Sequence, residues 1–270
     1  MKNILHTILE TKRKEVAQLH QTTSLADLQA QAAEAPPAKN FFSAVTQPPK
    51  RRVNLIAEVK KASPSKGVIR EDFDPVSLAK AYEAAGAQAL SVLTDEQYFQ
   101  GHLDYLRAIR QAVELPLLRK DFIIDPWQVY QARAAGADAI LLIAAALPPG
   151  EIMDMMILSA ELRLTVLLEV HNADELMHVR SLVGFPHKAY SLLGVNNRDL
   201  TTFEVDLKTT LRLRELADGD VPVVSESGIS TPEDIDKLAA IGVSAVLIGE
   251  TFMRQPDVGK AITDLLGPME

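Results

Sequence analysis

The sequence predicts an α/β fold: one (β/α)8 TIM barrel, in which eight parallel strands alternate with helices, preceded by an N-terminal helical segment. Three observations predict it. Eight short apolar runs alternate with stretches of helical periodicity. Most of these runs end on a charged or amide residue, which a buried parallel strand would otherwise exclude, so polar groups gather at one end of the strands. Three helix-to-strand joints carry a glycine among small residues.

The glycine joints indicate parallel strands. Gly86, Gly136 and Gly242 each close a helical pattern a few residues before an apolar run. Glycine adopts the left-handed conformation that ends a helix, and its small neighbours allow a tight return to the sheet. An open, doubly wound sheet uses such joints as well, but eight regular units with polar strand ends favour closure into a barrel.

The elements follow in order from the N-terminus. Residues 4–19 predict a helix, and 32–38 and 47–50 are interpreted as irregular connectors. We expect one domain over 1–270, with a helical extension at 1–50 and the barrel at 51–270. Strands are predicted at 53–60, 89–94, 116–121, 139–144, 165–170, 191–196, 221–226 and 245–249. Helices are predicted between them at 75–85, 104–113, 126–135, 149–161, 173–182, 207–216 and 232–240.

Composition limits the classes of function. A chain of 270 residues with 47% hydrophobic content can bury a large core but has no room for a second barrel. The net charge of −8, without a basic stripe, argues against nucleic acid as a partner. Cysteine is absent, which excludes disulfides and thiolate chemistry. With no apolar leader and no apolar run near about 20 residues, we expect a cytoplasmic protein without membrane contact.

Two residues of opposite charge lie at the end of the first predicted strand. Glu58 and Lys60 share one face, because alternate residues of a strand point the same way. The following turn-rich segment, which contains Ser63, is predicted to form a mobile flap over a ligand. The alternative is a strand-end ion pair beside an ordinary surface loop.

Lys120 ends the third predicted strand. A buried lysine is costly unless it is paired, and partial desolvation is expected to move its pKa toward the range useful for proton transfer. By itself this residue fits a Schiff-base lysine, a general acid or a salt-bridge partner. Arg119 and Asp121 alternate onto the opposite face, where we expect a structural role.

Glu169 lies close to the end of the fifth predicted strand. Because branched apolar side chains normally fill a barrel, an inward carboxylate needs partners or a function. His171 has the same parity, but a loop position before the next helix is favoured. The other histidines show no pair at metal-ligand spacing, so no metal site is expected.

An amide and a guanidinium follow the sixth strand. Asn196 can donate and accept hydrogen bonds, and Arg198 offers a planar fork for a carboxylate or a phosphate. The alternative for Arg198 is a bridge to Asp199 or Glu204.

Two glycine loops follow the last two strands. Gly228 and Gly249 allow backbone N–H groups to approach an anion, and the loops after strands seven and eight commonly hold phosphate in barrels. The alternative is two plain turns. Their joint occurrence favours a phosphate site.

Taken in order, these segments resemble the indole-3-glycerol phosphate synthase family of the tryptophan pathway. The matching motifs are Glu-x-Lys-x-x-Ser-Pro-Ser at 58–65, Leu-x-Lys-Asp-Phe at 118–122, Leu-x-Glu-Val at 167–170, Asn-x-Arg-Asp-Leu at 196–200, Glu-Ser-Gly-Ile at 226–229 and Ile-Gly-Glu at 248–250. The resemblance runs from the N-terminal helix to the last strand.

The resemblance implies a carbon–carbon lyase that converts 1-(2-carboxyphenylamino)-1-deoxyribulose 5-phosphate to indole-3-glycerol phosphate, CO2 and water, with no cofactor. Lys120 matches the family's general acid and Glu169 its base. Lys60 would donate a proton in the dehydration or hold the substrate carboxylate, and the resemblance does not assign the acid roles between Lys60 and Lys120.

The remaining site residues are assigned by the same matching. Glu58 and Asn196 would orient the intermediate, Arg198 would add cationic support, and Glu226 with Ser227 would shape a polar floor. The substrate-binding positions are Ser63, Phe99, Phe122, Leu200, Ser227, Gly228, Gly249 and Glu250. For the two phenylalanines the alternative is ordinary packing. Glu250 is expected to bind through its backbone and to turn its side chain away from the phosphate.

Two alternatives remain at the level of sequence. One is another phosphate-binding barrel, such as phosphoribosylanthranilate isomerase or the tryptophan synthase α subunit, which would not need both lysines with Glu58 and Glu169. The other is a non-catalytic phosphosugar-binding barrel. We expect a small phosphorylated substrate and a monomer, and association with other tryptophan-pathway enzymes stays open.

Overall fold

Eight parallel strands close into a barrel in the computed structural model, which describes residues 4–200, 202–217 and 219–269. The first strand pairs with both the second and the last. This closure confirms the predicted TIM barrel and rules out the open sheet. The strands are Asn54–Val59, Ala89–Leu93, Leu117–Lys120, Ala139–Ile143, Thr165–Val170, Ser191–Asn196, Val223–Glu226 and Ala245–Ile248.

Helices surround the barrel. Those of the repeat are Pro75–Ala84, Leu103–Ala112, Pro126–Ala134, Pro149–Glu161, Ala173–Val179, Lys208–Leu216, Pro232–Ala240 and Val258–Leu266. The first seven lie where the sequence predicts them, whereas the last was not among the predicted helices. Shorter elements are the helices Glu96–Phe99 and Glu250–Met253 and the 3-10 turns Ala144–Ala146, Arg180–Leu182 and Lys188–Tyr190.

Side-chain caps set the start of several outer helices. Asp74, Asp125 and Thr231 each precede a proline and accept a backbone N–H from the first helical turn. Proline suits this position because its φ is already helical and it has no N–H to satisfy. The helices at Pro126 and Pro232 begin six residues after a strand ends, whereas the helix at Pro75 follows a longer segment that contains the predicted flap.

The N-terminal extension contains three helices, Ile4–Thr22, Leu25–Glu34 and Phe41–Thr46. The prediction of an irregular connector at 32–38 is wrong for residues 32–34, which form the last turn of the second helix. The missed signal is Ser24, whose side chain accepts the N–H of Asp27 and caps this helix. The stretch 47–50 is irregular, as predicted.

The third helix of the extension closes the amino-terminal end of the barrel. Phe41 and Val45 are fully buried and pack with the apolar residues inside it. Asn54, at the start of the first strand, donates to the carbonyls of Val45, Gln47 and Ser244 at 2.9–3.1 Å. The interior is therefore filled below the strand ends, as a barrel core should be.

One buried ammonium fastens the N-terminal helix to the barrel. Lys12 Nζ lies 3.0 Å from Asp95 Oδ2 and 2.9 Å from Asp121 Oδ1. Asp121 also lies 3.1 Å from Arg119 and accepts the hydroxyl of Thr94 at 2.6 Å. Burial opposes the charge of Asp121, but Arg119 and Lys12 hold its pKa far below the ordinary value. Arg119 and Asp121 thus take the structural position that strand alternation predicts.

We propose that extension and barrel, 1–50 and 51–270, form one domain, because the extension supplies both Phe41 and Lys12 to buried contacts with the barrel. Residues 1–3, 201, 218 and 270 of this range lie outside the described residues. No helix in the described part of the chain combines the length and apolar character needed to cross a bilayer.

Candidate active site

A cavity of about 770 Å³ opens at the carboxyl ends of the strands. Adjacent strands are in register there, with Asn196 opposite Glu226 and Glu169 opposite Gly194. All the residues predicted for the site line this cavity: Glu58, Lys60, Ser63, Phe99, Lys120, Phe122, Glu169, Asn196, Arg198, Leu200, Glu226, Ser227, Gly228, Gly249 and Glu250. The structure therefore brings them together.

Lys120 lies among carboxylates. Its Nζ is 3.3 Å from Glu226 Oε2 and 3.5 Å from Glu169 Oε2. Burial lowers the pKa of Lys120, but the charges of Glu226, Glu169 and Glu58 outweigh burial and raise it above its ordinary value. The expectation that desolvation moves this pKa down is therefore wrong for the free site. The side chain is an ammonium throughout the neutral range.

The two carboxylates beside Lys120 differ in their protonation. Burial raises the pKa of Glu226 to about 8, since Lys120 offsets burial only in part and the charge of Glu169 adds to it. Burial acts in the same direction on Glu169, but Lys120 and His171 overcome it and hold the pKa of Glu169 well below its usual range. Near neutral pH, Glu169 is ionised and Glu226 mostly carries its proton.

Glu58 and Lys60 form a close ion pair at the end of the first strand. Burial raises the pKa of Glu58, yet Lys60 and Lys120 together lower it below the ordinary value. Gly249 leaves the space for this carboxylate, because a Cβ there would collide with Glu58. The pair faces into the cavity, so the ion-pair alternative and a functional role are not exclusive.

A glycine within the sixth strand makes room for Glu226. A Cβ at Gly194 would lie 2.6 Å from Glu226 Oε1 and 3.2 Å from Leu167 Cδ1. Real side chains do not approach so closely, so only glycine allows the carboxylate to point inward beside this strand.

Arg198 pairs with a partner that the sequence did not indicate. Its guanidinium lies 3.6 Å from Glu250 Oε2, and the other oxygen of Glu250 is 2.9 Å from Arg254. The backbone N–H of Arg198 donates to Asn196 Oδ1 at 3.0 Å, which ties the two residues of the motif together. The loops after strands six and eight are thereby joined across the cavity mouth.

The loop after the seventh strand has a left-handed backbone at two successive residues, Ser227 at φ 68° and Gly228 at φ 76°. Asn197 anchors it by donating to the carbonyls of Glu226 and Ser227 at 2.9 and 3.1 Å. Thr251 donates to the carbonyl of Ile229 at 2.8 Å and links this loop to the next one. Residues other than glycine rarely adopt a positive φ, and the backbone strain of such residues concentrates at functional sites.

The opposite part of the cavity is apolar. The rings of Phe99 and Phe122 have centroids 6.1 Å apart and are tilted by 40°. Leu200 also lines the cavity, as do three side chains of the N-terminal helix that the sequence did not place there: Ile4, Leu5 and Ile8. The extension thus supplies part of the cavity wall.

The predicted flap begins as a short antiparallel pair. Ala62–Ser63 pairs with Gly67–Val68, and Ser63, Pro64, Ser65 and Lys66 line the cavity. Gly67 has a φ of 65°, which favours glycine. Mobility of this segment stays a prediction.

The family described as "Indole-3-glycerol phosphate synthase" matches residues 5–265. A curated relative of that name from Rhodospirillum rubrum is 49% identical over 268 residues, covering 99% of this chain and 100% of its own length. Another, from Neisseria gonorrhoeae, is 52% identical over 268 residues, covering 98% and 100%.

The chain belongs to the indole-3-glycerol phosphate synthase family. The predicted family is confirmed, and with it the predicted class of enzyme, a decarboxylating lyase of tryptophan biosynthesis. A solved tryptophan synthase alpha chain from Legionella pneumophila has a TM-score of 0.59 at 16% identity, covering 84% of this chain and 96% of its own. A 3-hexulose-6-phosphate synthase has a TM-score of 0.61 at 15% identity, with coverages of 79% and 98%. These two likenesses concern the fold alone.

His171 is the site neighbour that sequence analysis underrated in this member of the indole-3-glycerol phosphate synthase family. It does precede the helix Ala173–Val179, as favoured, but its Nε2 lies 3.2 Å from Glu169 Oε1. The shared parity of Glu169 and His171 was the available signal. No group of His, Asp or Glu in the described ranges has an arrangement that could hold a metal ion.

Proposed function

We propose that this cavity closes the indole ring of 1-(2-carboxyphenylamino)-1-deoxyribulose 5-phosphate and releases indole-3-glycerol phosphate, CO2 and water without a metal or organic cofactor. A small phosphorylated substrate is consistent with the family. The observation that carries the proposal is the position of Lys120 Nζ inside the cavity, 3.5 Å from Glu169 Oε2 and 3.3 Å from Glu226 Oε2.

The two halves of the cavity suit the two ends of the substrate. Phe99, Phe122 and Leu200 offer apolar surface to the aryl ring. Gly228 and Gly249 let backbone N–H groups approach the phosphate. Ser227, in the same loop as Gly228, and Ser63, in the predicted flap, line the cavity as well. The reacting carbons then lie near Lys120.

Ring closure requires an acid. The aryl carbon attacks the ketone, and the developing alkoxide takes a proton from Lys120, which is protonated because three carboxylates raise its pKa. The ring nitrogen becomes an iminium. When the carboxylate leaves as CO2, the electrons of the broken C–C bond neutralise that iminium, so no external electron sink is needed.

Dehydration requires a base and a second proton donor. Glu169 is ionised, so it can remove a proton from the CH2 carbon beside the ring nitrogen, and the C–H electrons form the double bond that completes the five-membered ring of the indole. The departing hydroxyl takes a proton from Lys60, or from Lys120 after solvent has replaced the proton that Lys120 gave to the alkoxide, and leaves as water. Glu58 and Asn196 would orient the intermediate, Lys60 would otherwise hold the substrate carboxylate, and Arg198 with Glu226 would shape the charge around it.

The direct test is incubation of the purified protein with this substrate while the indole absorbance is followed. Lys120→Ala should abolish product formation while indole-3-glycerol phosphate still binds, because the acid is lost but the phosphate and aryl contacts remain. Lys80→Met, at an exposed lysine on an outer helix, is the matched control and should retain full activity. Near-normal turnover of Lys120→Ala would refute the assignment.

The same assay separates the alternatives. A non-catalytic phosphosugar-binding barrel would bind the product but form none, and an isomerase would consume phosphoribosylanthranilate instead.

We also propose a monomer, since one chain lines the cavity with every predicted site residue. A cytoplasmic location is likewise proposed, on the ground that the curated relatives are biosynthetic enzymes. Sedimentation of the purified protein tests the first, and fractionation of cells the second.

A further inference from the structure

Five titratable side chains, acidic and basic in alternation, run from an outer helix to the cavity. Their order is Glu175, His171, Glu169, Lys120 and Glu226, with successive contacts of 3.1, 3.2, 3.5 and 3.3 Å. The mechanism above uses the last three. It leaves open why a buried imidazole and a second carboxylate stand behind Glu169.

The local sequence holds Glu175 rigidly. Asn172 caps the helix Ala173–Val179, accepting the N–H of Glu175 at 2.9 Å and donating to Glu175 Oε1 at 2.7 Å. The other oxygen, Oε2, accepts the backbone N–H of His171 at 2.9 Å and contacts its ring Nδ1 at 3.1 Å. The imidazole is therefore oriented by a capped helix end and not by loose loop contacts.

Both ring nitrogens of His171 face a carboxylate oxygen, Nδ1 that of Glu175 and Nε2 that of Glu169. The side chain is 7% exposed. Burial lowers the pKa of His171, but the two carboxylates raise it to about 10. The ring is thus a cation with a donor on each nitrogen at neutral pH, and it is not a proton acceptor.

This cation distinguishes two carboxylates that otherwise share one lysine. Glu169 faces Lys120, His171 and Asn196, and it has two carboxylate neighbours, Glu58 and Glu226. Glu226 faces Lys120 and Glu169, and no second cation contacts it among the residues that the structure describes. The proton shared within this cluster therefore resides on Glu226.

We propose that His171 is a positioning residue: its imidazolium holds Glu169 Oε1, keeps Glu169 ionised while Glu226 carries the proton, and leaves Oε2 toward Lys120 and the substrate. This inference rests on the proposed role of Glu169 as the base. Glu175 acts through His171 by fixing the ring and sustaining its charge.

The test is the pH dependence of kcat and KM for His171→Asn and Glu175→Gln. Removing the cation lets Glu169 compete for the proton, so kcat at pH 7 should fall at least tenfold while KM changes less than twofold. The acidic limb of the kcat profile should move up to about pH 8, because a tenfold loss at pH 7 leaves about one-tenth of Glu169 ionised there, so activity should partly recover near pH 9. Glu175→Gln keeps the size of the side chain and should show the same effect more weakly.

His178→Asn, at an exposed histidine of the same helix, is the control and should behave as the wild type. Circular dichroism and product binding show whether each variant is folded. A fall in kcat of equal size at every pH, or unchanged kinetics in both variants, would overturn the inference. Glu169→Gln distinguishes the role of Glu169 from that of His171. If Glu169→Gln is active, the proposed base is wrong. If it is inactive and His171→Asn has normal kinetics, only the positioning role of His171 fails.

Discussion

Lys12→Met should loosen the N-terminal helix from the barrel. The ammonium of Lys12 lies within 3.0 Å of Asp95 and Asp121, and its side chain is 4% exposed. Methionine has nearly the same length and keeps the apolar stem packed, so the substitution removes mainly the charge. Two buried carboxylates then lose a shared cation.

The expected cost follows from what each carboxylate retains. Asp121 keeps Arg119 and the hydroxyl of Thr94, whereas Asp95 keeps the N–H of Tyr98 at 2.8 Å but loses its ion pair. Breaking a buried pair from one side costs about 3–5 kcal/mol. Because Asp121 remains partly compensated, we expect about 3 kcal/mol, borne mostly by Asp95.

Urea unfolding followed by circular dichroism measures this loss, and hydrogen exchange shows whether the helix Ile4–Thr22 opens before the barrel. Glu15→Gln is the control, because Glu15 also contacts Lys12 but its side chain is 43% exposed, so it should cost less than about 1 kcal/mol. The double variant Lys12→Met with Asp95→Asn should regain about half of the free energy of unfolding that Lys12→Met loses, because Asp95 no longer leaves a charge buried without a cation. A loss below about 1 kcal/mol in Lys12→Met would refute the reasoning.

Three further predictions concern the site. Gly194→Ala should lower the free energy of unfolding by about 1–3 kcal/mol and kcat/KM at least tenfold, because the new Cβ displaces the Glu226 carboxylate. A kcat/KM equal to that of the wild type would contradict this steric argument. Between about pH 6.5 and 10 the free energy of unfolding should fall, since His171 has a pKa of about 10 when folded against about 6.5 when unfolded, and its stabilising effect is complete only below the lower value. His171→Asn should flatten that part of the pH–stability curve. A chelator such as EDTA should leave the rate unchanged, and activity restored only by added metal would contradict the cofactor-free mechanism.

The electrostatic arrangement explains why the free site contains more carboxylates than lysines. Glu58, Glu169 and Glu226 all lie near Lys120 and raise its pKa, which keeps its side chain an ammonium. The excess negative charge is relieved by a proton on Glu226 and by cations at Lys60 and His171. Protonation states, more than residue types, thus distinguish the roles within this cluster.

The sequence by itself determined the barrel, the positions of its strands and a set of polar residues that the structure finds lining one cavity. These depend on local signals: apolar runs of strand length, Asp-Pro or Thr-Pro helix starts, and charged residues such as Lys120 and Glu169 that a buried strand would not carry without a reason. Prediction failed where a capping signal was present but overlooked, as with Ser24 before the helix that contains residues 32–34 and with Asp257 before the last helix.

Only the tertiary structure decided how these residues pair. Arg198 with Glu250 and Lys12 with Asp121 join segments far apart in sequence, and no periodicity encodes their separation. The pKa of Lys120 moved opposite to the expected direction for the same reason. Desolvation can be inferred from one strand, but the number of carboxylates around the ammonium depends on how barrel closure brings strands one, three, five and seven together.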